Sequence, residues 1–124
     1  MELNNQYGRG VNSMKTNIKV AGTTFHPLPV STGIAVSAEQ TIENVPCAVA
    51  QALLIPEPTN PYDSEAVQVV VKLTDGKAFV IGYLPAKEPL KTSIKTMTIA
   101  TLLIKDYGQV GNYSPSFIIT EIGG

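Results

Sequence analysis

One cysteine, one histidine and one arginine are all that the 124 residues contain of three side chains on which much protein chemistry depends. Cys47 alone cannot close an internal disulfide, which suits a reducing, cytosolic (cytoplasmic) setting. His26 is the only imidazole and Cys47 lies inside an apolar run, so a Cys–His nucleophile pair has no local support. Zinc takes three or four Cys, His or carboxylate ligands, and one sulfur with one imidazole falls short. Asp63 and Glu65 sit two apart, but the alternating oxygen ligands of a calcium loop do not surround them. Phosphate-cradling patterns of the G-x-x-x-x-G-K-[ST] or G-x-G-x-x-G type are missing as well. These absences point away from an enzyme: no catalytic residue, metal ligand or cofactor is assigned.

Long apolar runs are lacking too. None approaches the ~18–20 residues of a membrane helix, and the opening MELNNQYGRG has no apolar signal-peptide core, so no membrane partner is expected. An excess of positive charge is missing: nine Lys+Arg against ten Asp+Glu leave a net charge of −1, with no global field for duplex DNA. What is present excludes disorder, since 44% of residues are apolar and only 15% charged. The length suits one domain. Charge is uneven along it: five acids and no base lie from Glu39 to Glu65, and six lysines against Asp75 and Glu88 lie from Lys72 to Lys105. The second stretch forms either a local basic face or a solvated surface.

Residues 1–17 are polar and read as a flexible tail, with a single domain from 18 to 124. Ile18 to Phe25 is rich in β-branched residues and predicts a first strand, stopped by Pro27 and Pro29. Ser37 to Asn44 fits one or two helical turns, or a long surface loop. Cys47 to Ile55 has the length of a buried strand. Ala66 to Lys72 and Ala78 to Leu84 form a hairpin about Asp75-Gly76, which supplies the positive φ of a tight turn. Pro85 to about Lys95 predicts a short helix with Leu84, Leu90 and Ile94 inward. Met97 to Lys105 and Phe117 to Ile122 predict two more strands. About six strands with one or two short helices define a mainly β fold, a small barrel or sandwich.

The most informative stretch is Glu57-Pro58-Thr59-Asn60-Pro61-Tyr62-Asp63-Ser64-Glu65-Ala66-Val67. Asn60-Pro61 starts a turn and Asp63 can accept backbone N–H groups at its exit. Tyr62 is then displayed at a turn, where it either covers the end of the sheet or stacks on a flat ligand at little entropic cost.

Three blocks resemble the HIRAN domain, a small β-barrel module of helicase-like DNA-repair enzymes and of stand-alone bacterial or phage proteins. Val20-Ala21-Gly22-Thr23-Thr24-Phe25-His26 is similar to the family's opening strand. Glu57 to Val69 resembles its E-P-x-N-P-Y-D-x-x-A-[IV]-x-V signature at every fixed position, and Val80-Ile81-Gly82-Tyr83-Leu84-Pro85 resembles its I-G-[YH]-[LIV]-P hairpin ending. The resemblance implies a modified OB-like β-barrel that binds single-stranded DNA at a free 3′ end, in DNA repair or replication. On that basis Phe25 and Tyr62 stack on terminal bases, Asp63 accepts the terminal 3′-hydroxyl, and Asn60 shapes the loop. Tyr83 occupies a phosphate-contacting position, and lysines such as Lys87 and Lys91 hold phosphate. Thr24 stands where a DNA-binding relative has arginine, residues 27–46 form a longer segment than the family's, and Tyr113 and Phe117 both qualify as its C-terminal pocket aromatic. The alternative is a protein-interaction or assembly module on the same barrel, favoured by near-neutral charge and the acidic stretch; the residues leave the oligomeric state open.

Overall fold

Apolar residues alternate or run continuously through most of the chain, and the resulting strands assemble into one antiparallel sheet. The computed structural model describes residues 13–23, 33–105 and 116–123. Its elements are β1 (Met14–Lys19), β2 (Ala38–Ile42), β3 (Val45–Pro56), β4 (Val67–Lys72), β5 (Ala78–Tyr83), a 3₁₀ helix (Pro89–Ser93), β6 (Thr98–Lys105) and β7 (Ser116–Ile122). The strands lie in the order β1-β7-β6-β3-β4-β5, with β2 paired to β3 outside that path. The protein is therefore mainly β, with seven strands in place of about six and almost no helix among the described residues.

The extra strand lies in the stretch expected to be helical turns or loop. β2 forms a two-residue hairpin with β3, Ile42 opposite Val45, through Glu43 and Asn44 at φ 51° and 66°. Two consecutive positive φ values are those of a type I′ turn, whose twist matches the strands it joins. β1 also differs from expectation: it starts at Met14, inside the presumed tail, and ends at Lys19. Its pairing with β7, Met14 opposite Ile122, explains the shift, because β7 supplies a partner edge for residues with little of their own to bury.

β3 is the central strand. One edge pairs with β6 from Cys47 to Leu54; the other pairs first with β2, then with β4. Ala48, Ala50, Ala52 and Leu54 face the core at 0–2% exposure. The small alanines leave room for Leu102, Ile104, Ile119 and Ile81 of the same cluster. The expected helix at 85–95 is cut to the five residues of the 3₁₀ helix. Thr92 and Ser93 donate their hydroxyls to the carbonyls of Pro89 and Leu90, offering the backbone a local alternative to a longer helix. Leu84 and Ile94 are buried and Leu90 packs against the core, as expected.

The path ends at β1 on one side and β5 on the other, and among the described residues no ladder joins them. Just beyond β1, Ala21 forms an isolated bridge with Tyr83, its N–H donating over 2.8 Å and its carbonyl accepting over 2.9 Å. Gly82 makes this approach possible, because a Cβ there would meet the Ala21 carbonyl oxygen and lie 2.8 Å from Val20 Cγ1.

Candidate functional site

Between β3 and β4 the chain must turn back within a short loop, and its polar side chains supply the hydrogen bonds that a sheet would otherwise give. Glu57 N–H donates to the Ala66 carbonyl at 2.8 Å, closing the neck of the loop. Inside it, Asn60 Nδ2 donates to Glu57 Oε1 at 2.7 Å. Asn60 Oδ1 accepts the N–H groups of Tyr62 and Asp63 at 2.9 and 3.0 Å. The asparagine thus mimics a backbone turn, as Asn-Pro sequences favour. Asp63 repeats the device: Oδ1 accepts Glu65 N–H at 2.9 Å and its carbonyl accepts Ala66 N–H at 3.0 Å. Pro58 and Pro61 restrict φ within the loop. Held on both sides, Tyr62 stands 96% exposed.

Glu57 ties this loop to the sheet. Its Oε1 also accepts the Tyr83 hydroxyl at 3.2 Å, and its Oε2 accepts Gln68 Nε2 at 2.8 Å. In the sequence, the one signal for this role of Glu57 is its place as a fixed acid of the signature block. Tyr83, read as a phosphate contact, has its hydroxyl engaged with Glu57.

Lys91, expected among the phosphate-holding lysines, lies inside the protein. It is 4% exposed, and its ammonium donates to Asp63 Oδ2 at 2.5 Å and to the Ala86 carbonyl at 2.9 Å, so it does not hold phosphate at the surface. The hydrogen bond from Lys91 holds the Asp63 carboxyl below its ordinary value of 3.8. The Glu65 N–H and the Lys91 charge act in the same direction, with desolvation opposing. Asp63 keeps 34% side-chain exposure, and each carboxylate oxygen has one lone pair beyond the bond it already accepts.

Asn60, Tyr62 and Asp63 therefore share one rigid loop, and Tyr83 joins it through Glu57. Lys87 is exposed on the segment leading to the 3₁₀ helix, next to the Ala86 that Lys91 binds. Phe25, with Thr24, His26 and Tyr113, lies outside the described residues. Phe117 is 4% exposed within the core cluster, which removes it as a pocket aromatic. Cys47 is buried at 1% exposure, its thiol 3.5 Å from the Val45 carbonyl. Among the described residues, no three His, Cys, Asp or Glu side chains cluster as metal ligands, and no helix is long and apolar enough to cross a membrane. A groove of about 460 Å³ lies away from the loop against Val36, Leu53, Val70 and Lys72.

Fold and site together define a class: a single antiparallel β-sheet that carries a proline-braced acidic loop with a displayed tyrosine. No family model, curated protein or solved structure matches the chain.

Proposed function

We propose that the protein is a non-enzymatic nucleic-acid-binding module of HIRAN type, a modified OB-like barrel that takes the 3′-hydroxyl end of single-stranded DNA on the loop between β3 and β4, in DNA repair or replication. The observation that carries this reading is Tyr62, 96% exposed on a backbone held by Asn60, beside the ionised Asp63. An exposed ring already fixed in place loses little freedom on stacking, and a carboxylate with spare lone pairs accepts a hydroxyl. The Ala21–Tyr83 bridge supports the barrel, since it brings the two ends of the sheet path together.

The magnitudes suit a weak binder. Stacking contributes about 1–3 kcal/mol per base, while micromolar affinity needs about 8 kcal/mol. Tyr62→Ala is expected to leave the unfolding midpoint unchanged and to weaken binding of a ~10-mer single strand by roughly 5- to 150-fold. Fluorescence anisotropy beside a thermal melt reads both. A variant that binds equally well removes Tyr62 from the interface, and one that unfolds early makes it structural.

A second reading, a protein-interaction module, is favoured by the charge at this end of the molecule. Glu57, Asp63, Glu65 and Glu88 outnumber Lys87 and Lys91, which suits a basic protein surface. Light scattering over a concentration series tests its self-associating form, which predicts a mass that rises with concentration.

A further inference from the structure

Nucleic-acid sites rarely place an acid against the strand, because phosphates repel it, yet Asp63 sits beside the displayed tyrosine. We infer that Lys91 is the positioning residue of this loop: its buried ammonium neutralises Asp63 in place, so that the site offers a carboxylate acceptor of no net charge next to Tyr62. The purpose of that neutrality rests on the nucleic-acid reading above; the coupling of the two residues does not.

Lys91 is the one buried charged side chain among the described residues, at 4% exposure. Among those residues its ammonium has two acceptors, Asp63 Oδ2 and the Ala86 carbonyl, of which only Asp63 carries charge. A buried ammonium without a counter-charge is costly. The other charged groups of the packed elements do not replace Asp63. Glu57 is occupied by Asn60, Gln68 and Tyr83, Glu88 caps the Leu90 N–H, and Glu65 meets Asp63 through its backbone. Lys87 and Lys95 are exposed cations on the same approach and helix end. Loop and 3₁₀ helix are therefore locked together as long as Asp63 is ionised. The lock has a pH window. Because the folded carboxyl lies below 3.8, the stability it contributes is complete above that value and is lost as pH falls through the lowered one.

Four proteins test this: wild type, Asp63→Asn, Lys91→Met and the double variant, each melted across pH 2–7 and titrated with a 3′-hydroxyl ~10-mer at several salt concentrations. Asp63→Asn strands the buried ammonium and is expected to lower the midpoint by roughly 10 °C near neutral pH. Lys91→Met is expected to lower it less, because the partly exposed carboxylate is hydrated. The double variant is expected to regain most of the loss and to lack this part of the acid decline. Strictly additive midpoints, or an unchanged acid decline in the double variant, overturn the coupling. In binding, Lys91→Met is expected to weaken the strand about tenfold at low salt, with the deficit shrinking as salt screens the bared carboxylate. A deficit independent of salt overturns the neutralising role. A wild type that binds no strand overturns the reading of the site, while the melting cycle still decides whether Lys91 positions the loop.

Discussion

Glu57 gathers three donors, Asn60 Nδ2, Gln68 Nε2 and the Tyr83 hydroxyl, onto one half-buried carboxylate. Removing it takes this shared acceptor away, so Glu57→Ala is expected to cost about 1–3 kcal/mol, read as a lower urea midpoint. Strand binding should fall with it, since Asn60 then loses the anchor for the turn that displays Tyr62. Part of this site is legible in the chain itself. Asn60 and Asp63 act on backbone N–H groups two or three positions away, which a local motif reveals. The hydroxyl of Tyr83 meets Glu57 across 26 positions, and Lys91 meets Asp63 across 28. Such partners belong to the folded state, and a surface-like Pro-Leu-Lys-Thr stretch does not announce a buried lysine.

At the scale of elements, the hairpin β4–β5 controls how the sheet path ends. Val69 pairs with Gly82 and Val70 with Val80, so Ile81 is the extra residue of a bulge that re-aims the end of β5 toward Ala21. Gly82→Ala is expected to break the bridge and to destabilise the fold by about 1–3 kcal/mol through overpacking. Hydrogen exchange should show it as lost protection at the Ala21 and Tyr83 amides, with the β3–β6 ladder unchanged; retained protection would contradict the account. The hairpin itself, β3, β6 and β7 were legible because their apolar residues recur or run unbroken. β2 was not: all five of its residues are exposed, so no alternation marks it, and its turn uses Glu-Asn where Asn-Gly is the usual signal. The β1 boundary escaped for a related reason, since Met14 to Asn17 become strand only through β7.

For the whole molecule, one sheet with a core of small alanines under larger aliphatic residues supports a loop that adds almost nothing to that core. Glu57 and Asp63 tie that loop to the sheet and the 3₁₀ helix, while the ring of Tyr62 itself stays exposed. Net charge near zero, with carboxylates outnumbering ammoniums around the loop, leaves little phosphate grip, so the proposed strand-binding function depends on contacts at the strand's terminus. The most direct measurement is anisotropy at low salt with two ~10-mer single strands of one sequence, one ending in a 3′-hydroxyl and the other in a 3′-phosphate. Preference for the hydroxyl is predicted, because Asp63 accepts its hydrogen, whereas an ionised terminal phosphate brings the carboxylate only further acceptor oxygens. Equal binding of both strands, or binding of neither, would contradict it.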